Sequence, residues 1–400
     1  MATDNDLTLE KARRLIASHV REGEKEMVSL LDGLDRRAFA GIRAPLPVPH
    51  FRQSTMDGFA VKTSVLKGTG PWRLPVAGEI PAGRTDIPAQ KKGEAYRIMT
   101  GGTVPDQVDQ VIPQEWCRIE NKTVFIRQKG GKGDHIRPVG KDLKKGQIIL
   151  KKGETITPFR LHLLATSGLQ EIPVFAGPRV AHLSSGSELV DDNPLPGQII
   201  SGNRALLNGL IRRVHGVPED LGTATDTVSK IASLLERADG PRIIITTGGM
   251  GPGKYDLMEE ALQQIGVDIL YRSLQVRPGR ATIFGVKGRT LFFALPGPPP
   301  AVHLLFQELV RPAILAMQGR DNGTTETRAI LLEEIVVNRT GQLNLKNAII
   351  ANQAARVTAR LAGLTEAANG VILMPANRRH MKKGEKVRVH LYETGCQPLG

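Results

Sequence analysis

The sequence predicts an α/β protein with additional β domains. Between about residues 178 and 318, short aliphatic runs alternate with amphipathic helical segments. Repeated strand–helix units of this kind predict a doubly wound parallel sheet, which binds ligands at the carboxyl ends of its strands. Before and after that segment apolar and polar residues alternate, as is typical of strands with one buried face. The 400 residues have room for roughly two to four domains.

The N-terminal segment is expected to be helical. Apolar residues follow Thr8, which fits an N-cap, at helical spacing: Leu9, Ala12, Ile16 and Val20. A second apolar set predicts another helix: Met27, Leu30, Leu31 and Leu34. Three prolines between Pro45 and Pro49 then favour an extended segment. From about residue 54 to 137, alternating runs punctuated by Gly and Pro predict a β-rich region.

The central segment contains three predicted strands: Val180–Leu183, Ile243–Ile245 and Leu291–Leu295. The predicted helices are residues 203–214, a helix beginning near Asp226, a helix through Met258 and Ile265, and a last helix that runs to Gln318. After Gly319 the period-2 pattern returns in three strand candidates: residues 329–337, 370–376 and 386–392. This tail therefore predicts a small separate β domain.

Composition excludes several classes of protein. No apolar run approaches the roughly 18 residues of a membrane span, and the polar N-terminus has no apolar signal core, so we expect a cytoplasmic protein. Two distant cysteines, Cys117 and Cys396, do not form a disulfide framework or a Cys-rich zinc site. The formal net charge of +14 favours anionic partners. The lysine-rich stretch from Gln128 to Glu154 is interpreted as a solvated connection, and neither nucleic acid nor membrane is expected as a partner.

A glycine-rich loop directly follows the strand Ile243–Ile245. It contains Thr247, Gly248, Gly249, Gly251 and Gly253 and leads to Asp256. Backbone N–H groups in such a loop between strand and helix bind phosphate or another oxyanion, because glycine permits close approach. The alternative is a tight structural turn with Asp256 as a helix cap.

Three acids are expected at the same edge of the predicted sheet: Glu188, Asp226 and Asp256. Carboxylate oxygens, together with waters and phosphates, are the ligands that Mg²⁺ prefers. The set therefore predicts a metal site. The structural alternative leaves Asp226 as a helix N-cap and Glu188 as a solvated loop acid.

Further motifs suit an anionic ligand. Arg277 and Arg280 flank Pro278-Gly279 and offer two guanidinium groups to an oxyanion, although a basic surface turn has the same pattern. The run from Pro296 through Gly297 and Pro299 is a stiff strand-to-helix turn. In the β-rich region, Asp57 and Thr100 lie in two glycine-containing strings, residues 54–60 and 97–105. Spacing alone does not decide between plain turns and an oxyanion site there.

Taken together, the motifs resemble the molybdopterin molybdenumtransferase family, of the MoeA and gephyrin E-domain type. Nine strings have counterparts in the same order: STMDGFAV, GEIPAG, RIMTGGTVP, HIRPVGKD, SSGSEL, TTGGMGPGKYD, RPGRATIFG, LPGPPPA and EAANGVILMPA. The resemblance covers nearly the whole chain.

The resemblance implies insertion of molybdenum from molybdate into adenylylated molybdopterin, with release of AMP and the help of Mg²⁺. It also implies an elongated homodimer, with a cleft between the α/β domain of one subunit and the β-rich domain of the other, and transient contacts with other molybdenum-cofactor enzymes. Glu188, Asp226, Asp256, Asp57 and Thr100 match the family's catalytic positions. The implied domains are residues 1–50 with 138–177 (helical and linker), 51–137 (β-rich), 178–320 (α/β) and 321–400 (small β-barrel).

The chain departs from the family pattern at several of these loops. Arg277, Arg280 and Ala281 stand where Lys, Lys and Pro are usual, and Pro298, Pro300 and Ala301 replace an amide, Val and a hydroxyl. Ser187, Ser201 and Gly251 also replace usual residues. These changes motivate an alternative, a molybdopterin-binding or carrier paralogue that inserts no metal. A hydrolase of another nucleotide is a third hypothesis, since related folds support other chemistries.

Overall fold

The computed structural model describes residues 6–238, 240–249, 257–320, 324–353 and 356–392. By its contacts the chain divides into two compact units. The first unit is Met1–Lys25 with Phe175–Gly400, and the second unit is Glu26–Val174. No helix among the described residues combines the length and the hydropathy that a membrane span requires. The finer division into four domains stays a prediction.

The helices are α1 (Leu9–His19), α2 (Pro158–Thr166), α3 (Gly202–Arg213), α4 (Val228–Glu236), α5 (Leu257–Gln264), α6 (Pro299–Leu305) and α7 (Arg311–Met317). A π turn, Phe306–Val310, joins α6 to α7. The first strands are β1 (Lys25–Ser29), β2 (Ile42–Arg43), β3 (Gln53–Ser54), β4 (Gly58–Val61), β5 (Trp72–Ile80), β6 (Ala95–Ile98), β7 (Gln110–Pro113), β8 (Cys117–Glu120), β9 (Thr123–Ile126), β10 (Ile136–Arg137), β11 (Ile148–Leu150) and β12 (Glu171–Phe175).

The remaining strands are β13 (Arg179–Ser185), β14 (Leu189–Val190), β15 (Ile199–Ile200), β16 (Val217–Ala224), β17 (Ile243–Thr247), β18 (Asp268–Ser273), β19 (Val276–Arg277), β20 (Ala281–Lys287), β21 (Thr290–Leu295), β22 (Thr325–Leu331), β23 (Ile335–Val336), β24 (Leu343–Gln353), β25 (Arg356–Leu361), β26 (Gly370–Met374), β27 (His380–Met381) and β28 (Lys386–Leu391).

The central sheet of the first unit confirms the predicted doubly wound α/β fold. Its strand order is β16-β13-β17-β21-β20-β18. The first four strands are parallel, and successive side chains face opposite layers of helices. Ile244 packs in the cluster that contains α4 and α5 residues, whereas Ile245 packs in the cluster that contains α3 and α7 residues. The last two strands in this order, β20 and β18, were not predicted, and β20 pairs antiparallel with both β21 and β18.

The C-terminal part of the first unit confirms the predicted small β-barrel. Strands β24, β25, β22, β28 and β26 pair in that order, and a further pairing of β26 with β24 closes the ring. Because the ring is closed, each of these five strands pairs with a neighbour on both sides. Alternate side chains fill the interior, including Leu331, Ile350 and Val389.

The second unit contains the predicted β-rich region, whose main sheet has the order β7-β4-β6-β5-β9-β8.

Of the two helices predicted near the N-terminus, the first is confirmed, because Thr8 caps α1 by accepting a hydrogen bond from the Lys11 amide at 3.3 Å. The predicted second helix is wrong. That stretch is β1 and a short 3₁₀ turn, Leu31–Gly33. Met27 and Leu31 are 48% and 82% exposed, so the spacing that suggested a helix does not mark a buried face.

Candidate active site

A cavity of about 980 Å³ opens at the carboxyl ends of the parallel strands β13, β17 and β21. Loops that follow these strands and the N-terminus of α3 form its walls. Seven of the predicted site residues line it: Glu188, Asp226, Thr247, Gly248, Gly249, Gly297 and Pro299. This is the edge of an α/β sheet at which ligands bind, because the loops there diverge and leave a crevice.

The loop after β17 approaches the loop after β13 closely, and only glycine fits at the contact. Gly248 has φ +88°, and a Cβ built there would overlap the carbonyl oxygen of Ser185 and lie 3.1 Å from its carbonyl carbon. The third loop is near as well, since a Cβ on Gly297 would lie 3.7 Å from the Gly248 Cα. The Gly248 amide donates to the Leu295 carbonyl at 3.1 Å. The three loops therefore form one connected floor.

Asp226 is held in this cavity by hydrogen bonds rather than used as a helix cap. The Ser185 hydroxyl donates to one carboxylate oxygen at 2.9 Å. The Ser187 amide and hydroxyl donate to the other oxygen at 3.0 and 3.1 Å. The N-cap of α4 is Thr227, which makes no side-chain capping bond. The structural alternative for Asp226 is therefore wrong, and its carboxylate is oriented by the loop that follows β13.

Glu188 is the second carboxylate in the cavity lining. Its side chain folds back over the loop and lies close to Gly186. A Cβ built on that glycine would be 2.8 and 2.9 Å from the two carboxylate oxygens. Among the described residues no donor contacts this carboxylate, so both of its oxygens are available to a ligand. Two carboxylates in one crevice fit a hard divalent cation that completes its shell with water and phosphate oxygens.

The third predicted acid, Asp256, lies outside the described residues, and so do Gly251 and Gly253. Within the part of the chain that the structure describes, no group of three or more His, Cys, Asp or Glu side chains is placed to hold a metal ion. The three-acid metal site therefore stays a prediction, for which Glu188 and Asp226 provide two of the groups.

The cavity also has an apolar wall that the sequence reasoning missed. Leu189, Ile199, Ile200 and Leu257 line it, and Ile199 and Ile200 are 60% and 52% exposed. Strands β14 and β15 pair in parallel, which places Leu189 beside Ile199. The available signal was the apolar pair directly before Ser201-Gly202-Asn203, since large apolar side chains exposed at the edge of a polar cavity suit a planar ligand.

An ion-pair network fixes this wall to the α/β domain. Arg204, in the first turns of α3, donates from Nε to both oxygens of Asp220 at 3.1 and 2.9 Å. Its Nη1 pairs with Asp191, in the segment between β14 and β15. Asn203 donates to the Gly297 carbonyl at 2.8 Å. The N-terminus of α3 therefore connects the apolar wall with the β21 loop.

The arginine motif lies at the same sheet edge but does not line the cavity. Arg277 and Arg280 are exposed, and they precede β20, whose Ile283 pairs with Ala294 near the carboxyl end of β21. Gly279 has φ +111° and lies against Leu305 of α6, because a Cβ there would be 2.8 Å from the Leu305 side chain. Of the β21 turn residues, Pro296 is not part of the lining either.

Asp57 and Thr100 meet in the second unit. The Thr100 amide and hydroxyl both donate to the same Asp57 carboxylate oxygen at 2.7 Å. These hydrogen bonds, with a smaller contribution from the positive charge of Arg97, lower the pKa of Asp57 below its ordinary value. The two strings that the sequence analysis singled out thus form one local arrangement with an ionised carboxylate.

Comparison with known protein families gives a consistent result. The profile of the MoeA N-terminal region (domain I and II) matches residues 7–168. The profile of a probable molybdopterin binding domain matches residues 181–316, which include every cavity-lining loop.

Individual relatives are similar over most of their length. The chain is 32% identical over 363 residues to molybdopterin molybdenumtransferase 2 of Mycobacterium tuberculosis, covering 88% of this chain and 89% of that protein. It is 29% identical over 403 residues to molybdopterin molybdenumtransferase of Bacillus subtilis, covering 96% and 94%. Among solved structures, the molybdopterin biosynthesis MoeA protein from Pyrococcus horikosii has a TM-score of 0.83 at 27% identity, covering 98% of this chain and all of that one.

Proposed function

Because the chain belongs to the molybdopterin molybdenumtransferase family, we propose that it inserts molybdenum from molybdate into adenylylated molybdopterin and releases AMP. One observation carries this proposal. The cavity at the carboxyl edge of the sheet places two carboxylates, Glu188 and Asp226, beside a close-packed glycine turn and an apolar wall. These three features suit a cation, a phosphate and the flat ring of a pterin, respectively.

The glycine turn is proposed to receive the phosphate of the substrate. Gly248 and Gly249 have φ values of +88° and +69° and carry no side chain that would keep a ligand from the backbone. The apolar wall of Leu189, Ile199 and Ile200 would pack against the flat pterin ring. The substrate would thus be held between the floor that contains the glycine turn and the apolar wall.

Glu188 and Asp226 are proposed to hold Mg²⁺, with Asp256 as a third ligand. Mg²⁺, when bound, offsets negative charge on the phosphates as the adenylate leaves. Asp226 is already oriented by Ser185 and Ser187, so its carboxylate can also accept a hydrogen bond from the attacking water. In the proposed hydrolysis the water oxygen bonds to a phosphorus of the pyrophosphate link and the bridging P–O bond breaks, so that AMP and the phosphate of molybdopterin separate and one proton is released to solvent.

Arg277 and Arg280 are proposed to bind molybdate. Both are exposed at the edge of the sheet that carries the cavity, and a guanidinium group offers two parallel donors to an oxyanion. Asp57 and Thr100 are proposed as further catalytic residues. A homodimer, a cytoplasmic location and the division into four domains belong to the same proposal and rest on the family resemblance.

Molybdate-dependent release of AMP tests this function. The purified protein is incubated with adenylylated molybdopterin, Mg²⁺ and molybdate, and AMP is measured over time. We expect steady AMP release that requires molybdate. A carrier that inserts no metal would bind the pterin and release no AMP, so the same assay separates the two hypotheses.

A further inference from the structure

Ser187, in the loop that follows β13, is hydrogen-bonded to Asp226 through both its backbone and its side chain. Its amide and its hydroxyl donate to the same carboxylate oxygen, Oδ2, at 3.0 and 3.1 Å. The Asp226 amide in turn donates to the Ser187 hydroxyl oxygen at 3.4 Å. The hydroxyl therefore accepts from the backbone of Asp226 and gives its one proton to the side chain.

The two carboxylate oxygens of Asp226 are occupied unequally as a result. A carboxylate oxygen has about two acceptor sites. At Oδ2 both are used by Ser187, whereas Oδ1 accepts one hydrogen bond, from the Ser185 hydroxyl at 2.9 Å. Among the residues that the structure describes, no other donor contacts this carboxylate. A cation in the cavity can therefore contact Asp226 through Oδ1 but not through both oxygens.

This restriction affects divalent cations differently. Ca²⁺ takes roughly six to eight oxygen ligands and often binds both oxygens of one carboxylate. Mg²⁺ is smaller, keeps several waters and needs only one oxygen from each carboxylate. Filling Oδ2 of Asp226 therefore removes a ligand that Ca²⁺ would use and leaves the one that Mg²⁺ needs. Glu188, the other acid in the cavity lining, accepts no hydrogen bond from the described residues and is not restricted in this way.

We propose that Ser187 makes the cavity selective for Mg²⁺ over Ca²⁺, because it occupies the oxygen of Asp226 that Ca²⁺ would take as a further ligand. The inference rests on the proposed function, from which it takes the role of Glu188 and Asp226 in holding the cation. Ser187 is a positioning residue here, since it acts on the cation through Asp226. Threonine at this position keeps both donors, whereas alanine keeps only the amide.

Competition of Mg²⁺ and Ca²⁺ with Mn²⁺ tests this proposal. The full-length protein is loaded with Mn²⁺, whose EPR signal distinguishes free from bound ion, and Mg²⁺ or Ca²⁺ then displaces it. The Mn²⁺ bound at this site is the part that Asp226→Asn removes. In Ser187→Ala we expect the ratio of the Ca²⁺ to the Mg²⁺ dissociation constant to fall about tenfold, which is the effect of one hydrogen bond to a charged group.

Two further variants are the controls. Ser187→Thr keeps the hydroxyl and should retain the ratio of the unmodified protein. Ser185→Ala removes a hydrogen bond from the same carboxylate, but from Oδ1, so that Oδ2 stays filled and the ratio should not change. General damage to the loop would weaken the binding of both cations in parallel, so the ratio reports the occupancy of Oδ2 and not the integrity of the fold.

The outcomes separate this inference from the proposed function. An unchanged ratio in Ser187→Ala, or an equal shift in Ser185→Ala, would overturn the inference alone, because AMP release with Mg²⁺ is measured independently. If the unmodified protein binds no Mn²⁺ that depends on Asp226, the inference falls together with the metal role proposed for Glu188 and Asp226.

Discussion

The contact between the β17 and β13 loops predicts that two similar glycine-to-alanine substitutions lower the free energy of unfolding by different amounts. Gly248 and Gly222 lie in the same sheet region with nearly equal backbone angles, φ +88° and +89°. An alanine at either position pays the strain of a left-handed residue, about 1–2 kcal/mol. At Gly222 a Cβ meets nothing within 4 Å, so that strain is the whole cost. At Gly248 the Cβ also overlaps the Ser185 carbonyl.

Relieving that overlap requires the backbone of one loop to move, and overpacking of this kind costs a further ~1–3 kcal/mol. Gly248→Ala should therefore destabilise the α/β domain by about 2–5 kcal/mol, against about 1–2 kcal/mol for Gly222→Ala. Hydrogen exchange of the β17 amides, followed in peptides across a urea series, measures the difference. Trp72 and Trp116 both lie in the second unit, so their fluorescence provides an internal reference. Equal costs for the two variants would refute the close approach of the loops.

Three further predictions concern the site. Asp226→Asn should reduce AMP release at least 100-fold, because the carboxylate held by the β13 loop is lost, while Asp192→Asn, at an exposed acid outside the cavity lining, should have no effect in the same assay. Thr100→Val removes one of the two hydrogen bonds to Asp57 and should raise the pKa of Asp57 in an NMR titration. Because that pKa is lowered in the folded protein, the ionised carboxylate stabilises the fold at neutral pH, and this contribution is lost as pH falls through the folded-state pKa. The free energies of unfolding of the unmodified protein and of the variant should therefore become equal in acid. Arg204→Gln should raise KM roughly tenfold with a smaller change in kcat, because it releases the apolar wall; an equal fall in kcat and kcat/KM would contradict a positioning role.

Hydrophobic periodicity predicted most of the fold. The strands β13, β17 and β21 and the helices between them were recoverable because each buries one continuous apolar run or stripe. The antiparallel strands β20 and β18 were missed. The signal for the first was the two-residue turn Gly288-Arg289 between two apolar runs, which is typical of a hairpin. A search for alternating strands and helices over a long stretch of sequence does not detect a turn of only two residues.

The failure at residues 27–34 has a different cause. Leu31 satisfies the helical spacing with Leu34 and Met27, yet these side chains remain exposed, and Val28 is the buried residue. Period alone cannot distinguish a buried stripe from apolar residues that the tertiary structure leaves on the surface.

The site could be predicted for those residues whose place in the fold follows from their order along the chain. Residues directly after parallel strands share one sheet edge, which is why Glu188, Asp226 and the glycine turn converge. Sequence could not decide whether Asp226 caps α4 or faces the cavity, since Asp suits both. The answer depends on Ser185 and Ser187, which approach from a different strand. The apolar wall likewise depends on the pairing of β14 with β15.

The most direct test of the account compares molybdenum incorporated into the pterin with AMP released by the purified protein. The proposed reaction couples the two, so they should appear in equal amounts and both should vanish without molybdate. AMP released in molybdate-free buffer, or pterin bound without either product, would contradict the assignment of this cavity to metal insertion.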